Sequence, residues 1–149
     1  MKFLPLMAIA LLFSFTFPPP HWQNNFEEAK QAAATEHKFI LLNFSGSDWC
    51  GPCIKMHKEI FESEVFSKFA DDNLILVNAD FPRQKKNQLP PAQQKQNDAL
   101  ADRYNSIGDF PLTVLLSADG KVIKTWDGFT KEGAEVFTNE VKQAIHAAN

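Results

Sequence analysis

Cysteine is nearly absent from this chain, with only Cys50 and Cys53 in 149 residues. A structural staple is a poor motive for so isolated a pair. Half-cystines three positions apart close a tiny loop, and the entropy that a cross-link removes from the unfolded chain grows with loop length. Paired histidines are also lacking: His21, His37, His57 and His146 are scattered singly, so a structural zinc site, which needs about four ligands, has no second half. There is no basic excess. The formal net charge is −3 and Lys85-Lys86 is one local cluster rather than a stripe, which argues against nucleic acid as a partner. No internal repeat or flexible interdomain linker divides the chain, so one domain is expected.

A long apolar run is missing as well. Lys2 precedes apolar residues from Phe3 to Phe17, broken by Pro5, Ser14 and Thr16 and ended by Pro18-Pro19-Pro20. This is shorter than the roughly 18 residues of a spanning helix, and it reads as a signal peptide over residues 1–20. Its cleavage point is not defined, since Ser14-Phe15-Thr16 is the nearest small-x-small pattern, and an uncleaved membrane tether is the alternative. Export, to a periplasm or beyond the cell, puts the cysteines in an oxidising compartment, where disulfides persist and enzymes that make, break or shuffle them are needed. About 130 residues remain, with 44% hydrophobic residues and 14 phenylalanines in the full chain, enough for one real core.

What the chain does have is Trp49-Cys50-Gly51-Pro52-Cys53. A redox dithiol needs a reactive thiolate beside a second thiol that can resolve a mixed disulfide, and this spacing supplies both. Around it the pattern is α/β. Phe26 to Lys38 is rich in helix formers. Phe39 to Phe44 and Leu74 to Val77 are continuous apolar runs of strand length, as for strands buried on both faces. Gly51 to about Phe69 reads as helix with a break near Glu62-Ser63. A polar insertion at about 83–98, with Pro90-Pro91 and five glutamines, leads into a helix through Tyr104. Its glutamines read as a solvated helix face and loop, or else as a surface that selects partners. Leu112 to Leu116 and Lys121 to Trp126 are strands joined across Asp119-Gly120, a strong hairpin signal, and a last helix runs from about Lys131 to Ala148.

With Trp-Cys-Gly-Pro-Cys after a buried strand and Phe110-Pro111-Leu112-Thr113 opening a later one, the chain resembles the thioredoxin superfamily from about Phe26 to its end. Phe44-Ser45-Gly46-Ser47-Asp48-Trp49 and the Gln-rich insertion are similar to secreted bacterial thioredoxin-like proteins. The resemblance implies a thioredoxin-like fold over residues 21–149, a central mixed sheet of four to five strands flanked by helices. It implies a thiol–disulfide oxidoreductase with no cofactor beyond its own dithiol and no metal. Gly51-Pro52 resembles the reducing members. Phe110, where a small aliphatic residue is usual, does not.

At a helix start, unpaired N–H groups and the macrodipole favour a thiolate on Cys50; free cysteine has a pKa of about 8.5 and such motifs lower it. Cys50 is therefore expected to be the nucleophile and Cys53, one turn further in, the resolving thiol. Gly51 lets a partner chain approach and Pro52 is tolerated in a first turn. Trp49 is either a packed aromatic or a platform beside the sulfurs. The resemblance implies a cis bond before Pro111, a Phe110 backbone open to an extended substrate, Gly120 in the hairpin turn and Gly128 near the substrate groove. The family's buried aspartate is replaced by Asn43 or Phe44, neither of which takes a proton. His57 shares a helical-wheel face with Cys53, Met56, Ile60 and Phe61, and either supplies the missing acid–base function or is satisfied by a backbone carbonyl.

The leading expectation is an exported monomer acting on protein disulfides, with electrons returned by a membrane thiol carrier. The alternative is a Cu(I) carrier using Cys50 and Cys53 with Met56 or His57 nearby; a redox-inert binding module conflicts with both cysteines standing in such a motif.

Overall fold

The sheet is built around the strand that carries the most continuous apolar run. In the computed structural model, which describes residues 19–148, β2 (Phe39–Ser45) lies at the centre, parallel to β3 (Leu74–Asp80) and antiparallel to β4 (Leu112–Leu116). β1 (Trp22–Gln23) pairs parallel with β3 and β5 (Val122–Asp127) antiparallel with β4, giving the order β1-β3-β2-β4-β5. The expected thioredoxin-like fold is what forms, with a mixed five-stranded sheet. The signal-like run, and with it the cleavage and tether expectations, lies outside the described residues.

Alternate residues of β2 serve two cores, as the period of two requires. Ile40, Leu42 and Phe44 face α1 (Phe26–Glu36) and α4 (Pro91–Tyr104), where Phe26, Ala29, Ala33 and Leu100 are buried. Leu41 faces the other way, toward α2 (Gly51–Met56), α3 (Glu64–Asn73) and α5 (Ala134–Ala148), against Met56, Ile60, Phe61, Phe66 and Phe137. That second core is largely aromatic. Phe61 packs with Phe66 at 5.2 Å and Trp22 at 4.9 Å between ring centroids.

Local chemistry sets the ends of the helices. Asn25 caps α1 by accepting the N–H groups of Glu27 and Glu28, and Ser63 caps α3 by accepting that of Phe66, which is why the stretch from Gly51 to Phe69 is two helices rather than one. Between them, His57–Phe61 is a π-helical turn, closed by the Glu62 N–H donating to the His57 carbonyl five residues back. The last helix begins at Ala134 rather than near Lys131, after Gly133 at φ 92°. The polar insertion is helical from Pro91 onward, because a proline suits the first turn of a helix.

Two of the five glutamines are neither simply solvated nor free for partners, while Gln84 and Gln88 are exposed. Gln93 and Gln96 donate to the Asn24 carbonyl at 2.8 and 2.6 Å, and Gln96 accepts the Phe26 N–H. They fasten α4 to the chain between β1 and α1, a strand too short for any period to reveal.

Candidate active site

Cys50 is the N-cap of α2, in extended backbone, with its Sγ accepting the Cys53 N–H at 3.2 Å. The two sulfurs form a disulfide, with 2.03 Å between them. Both cysteines are nearly buried, Cys50 at 4% and Cys53 at 2% exposure, while Gly51 and Pro52 between them are exposed. Among the described residues, nothing outside its own turn of helix comes within 4 Å of where a Gly51 side chain would start, so the approach over this turn is open.

Phe110-Pro111 is a cis peptide bond, as the resemblance implies, and the Pro111 carbonyl accepts the Gly128 N–H at 2.9 Å. Pro111 is buried and Phe110 half-buried. Phe110 packs edge-on against both Trp49 and Phe81, 5.5 Å to each. Gly128 takes φ 79° with open space beside it, and Gly120 sits in the hairpin turn with its carbonyl bonded by the Tyr104 hydroxyl. Packing of Phe110 on Trp49 and the bond from Gly128 to Pro111 thus tie the segment of the cysteines to residues up to 79 positions away.

Trp49 is half-buried and held on three sides. Its Nε1 donates to the Phe81 carbonyl at 2.7 Å, the Arg83 guanidinium lies 3.6 Å over its ring, and a Cβ at Gly46 would run into the indole. Next to it, Asp48 accepts the N–H groups of Arg83 and Gln84 and the Asn87 side chain, each at 2.9 Å. These bonds, the Arg83 amide's first, hold the Asp48 carboxyl below its ordinary range. Gly46 and Asp48 stand in the sequence stretch that carries the resemblance, but Phe81 and Arg83 were missed because they reach Trp49 and Asp48 through contacts more than 30 residues apart.

The position of the missing acid is Asn43, on the sheet face that packs on Met56 and Phe61. It is 3% exposed. It donates to Asn78 Oδ1 at 3.4 Å and accepts from Thr113 Oγ1 at 3.2 Å, its register partners on β3 and β4. A neutral polar row thus crosses three strands where a carboxyl would titrate.

His57 is not on the buried face expected for it. Its side chain is 47% exposed, with Nδ1 3.1 Å from Glu62 Oε1 and its ring 5.9 Å from that of Trp22. The wheel fails here because the π turn, with its five-residue bonding, abandons the 100° step just where His57 stands. Nor do Met56 and His57 support a copper carrier. Met56 is fully buried in the aromatic core, His57 pairs with Glu62, and among the described residues no cluster of three or more His, Cys, Asp or Glu is placed to hold an ion.

Residues 21–118 match the family described as Thioredoxin-like. The disulfide bond reductase DsbH of Chlamydia pneumoniae is 38% identical over 124 residues, covering 83% of this chain and 72% of that protein. The thioredoxin-related protein DsbJ of the same organism is 32% identical over 111 residues, 74% of this chain but 31% of its own length. A solved DsbH oxidoreductase structure superposes with a TM-score of 0.79 at 34% identity, over 90% of this chain and 92% of that one.

Proposed function

The chain belongs to the thioredoxin-like family, and from that premise we propose that it is a thiol–disulfide oxidoreductase that reduces protein disulfides outside the cytoplasm. The observation that carries this is the Cys50–Cys53 disulfide at a helix start under an open turn, next to Trp49, on which the Phe110 of the cis Phe110-Pro111 bond packs. In the reduced protein, the Cys50 thiolate attacks one sulfur of a substrate disulfide. The substrate bond breaks, its other sulfur leaves as a thiolate and takes up a proton, and a mixed disulfide joins Cys50 to the substrate. Cys53 then loses its proton and attacks Cys50 Sγ, releasing the second substrate thiol and closing the Cys50–Cys53 bond. Two electrons pass from the protein's dithiol to the substrate, and no further cofactor is needed.

The N-cap position supports Cys50 as attacker, since its sulfur already receives a backbone N–H and its neighbours Gly51 and Pro52 are exposed. The 38% identity to a protein named a disulfide bond reductase supports the reducing direction. The signal-like start supports export, and a protein that reduces substrates there must be recharged, which a membrane thiol carrier would do for a monomer of this kind. The direction is tested by equilibration with glutathione. A potential near the thioredoxin end, about −270 mV, is expected, and one near about −120 mV would make the protein an oxidant.

Asn43 cannot take a proton, and an acid–base role for His57, one turn after Cys53 in sequence, would have to be exercised from an exposed ring paired with Glu62. Thiol exchange by His57→Ala and His57→Gln, compared with the parent across pH, is expected to depart from the parent's profile. Profiles superimposable on the parent's would leave that proton to solvent.

A further inference from the structure

The segment between β3 and α4 is fastened to the residues just before Cys50. Besides accepting the three bonds described above, Asp48 receives Gln84 Nε2 on its carbonyl at 3.2 Å. Ser47 donates its N–H and its hydroxyl to the two oxygens of Asp80, at 2.9 and 2.5 Å. The carboxylates of Asp48 and Asp80 are thereby occupied. The cations are not. Arg83, Lys85 and Lys86 are exposed, and none of the three is in an ion pair among the described residues. Arg83 lies flat on the indole of Trp49, and Lys85 and Lys86 follow in a single 3₁₀ turn, Lys85–Asn87. In a chain of net charge −3, these three cations are thus carried by a loop bonded to Asp48 and stacked, through Arg83, on Trp49, the residue before Cys50.

We propose that Arg83, Lys85 and Lys86 form a specificity rim that selects disulfides flanked by aspartate or glutamate in the substrate polypeptide. The proposal rests on the oxidoreductase reading above and names its substrate class. A guanidinium stacked on an aromatic ring keeps its N–H edge free for a carboxylate, which it can bind through two parallel bonds. The lysines extend the field along the chain that enters, and a field of one sign at a binding cleft raises association rates for the opposite charge by about 10-fold or more. Because these charges are exposed, salt screens them: the Debye length falls from about 30 Å at 0.01 M to about 3 Å at 1 M.

The test uses the full reduced chain and three short peptides, each with one fluorescence-quenching disulfide flanked by Glu, Lys or Ser. At low ionic strength kcat/KM for the Glu peptide is expected to exceed that for the Lys peptide by about 10-fold, and the ratio to fall toward one in 1 M salt. Lys85→Glu/Lys86→Glu, at two exposed positions in no ion pair among the described residues, is expected to reduce the ratio. Adding Arg83→Glu is expected to invert it. Equal rates for the Glu and Lys peptides at low salt, a preference that survives 1 M salt, or a ratio unchanged in both variants would each overturn the rim. Reduction of the Ser peptide separates the two readings. If the parent reduces it without charge preference, only the rim falls; if the parent reduces none of the three, the oxidoreductase reading falls with it.

Discussion

Replacing Cys50 by serine is expected to cost roughly 10³-fold or more in disulfide turnover, the scale on which enzymes fail when a covalent nucleophile is removed. Replacing Cys53 by serine is expected to be as damaging to turnover but to stop the reaction at a different place. The asymmetry comes from position. Cys50 caps the helix in extended backbone, and its Sγ receives the Cys53 N–H. That donor persists when the sulfur is a thiolate, so it favours the charged form at Cys50. Cys53 is inside the first turn, 2% exposed and covered by the exposed pair Gly51-Pro52, where an incoming disulfide reaches it only after Cys50. Cys53→Ser should therefore form the mixed disulfide and hold it, because no second thiol is within reach to break it. Non-reducing mass spectrometry after mixing each variant with a disulfide peptide separates the cases: a stable adduct of one peptide chain on Cys53→Ser, and none on Cys50→Ser. Adducts distributed the other way would reverse the two roles.

The parts of this site that are legible in the sequence are those whose signal is local. Phe39 to Phe44 can be read as a central strand because burial on both faces leaves no polar residue until Asn43, and Cys50 follows it at the start of a helix marked by Pro52. Gly120 and the hairpin are readable from Asp-Gly alone. The cis bond at Pro111 is carried by the family resemblance, since composition says little about an X-Pro bond. What stays hidden depends on register or on a change of period. Asn78 and Thr113 become partners of Asn43 only when β3 and β4 pair with β2 in the observed register. Arg83 reaches Trp49 because Asp48 binds the backbone of a loop 35 positions away. A wheel drawn through a π turn misplaces His57. The first two depend on tertiary pairings that no local pattern carries, and the third comes from extending a regular helix across a local change of period.

The polar row leads to the second large effect, for Asn43→Asp, which restores the kind of residue the family carries. Asn43 both accepts, from Thr113, and donates, to Asn78. An ionised aspartate can only accept, so its second oxygen would face Asn78 Oδ1 until that amide turned over, and at 3% exposure it has no water to compensate. Burial without a partner charge raises a carboxyl's pKa. The sign follows from linkage: with the folded pKa above the unfolded value of about 3.9, the variant is near the parent's stability below that value and loses ground as pH rises to the folded pKa, after which the gap is constant. A loss of about 1–3 kcal/mol at pH 8, the range for burying an unsatisfied polar group, is expected. Urea midpoints of parent and variant at pH 4 and pH 8 measure it, and an equal gap at both would assign the loss to hydrogen-bond geometry instead of charge. The same carboxylate, once ionised, faces the side of the sheet on which the Cys50–Cys53 helix packs, and it can draw the proton from Cys53. Resolution of the mixed disulfide should then speed up toward the roughly 10²-fold scale of a positioned base, and only above the raised pKa. The variant is thus expected to exchange stability for rate over one pH interval, and a rate gain outside that interval would take the introduced carboxylate out of the proton path.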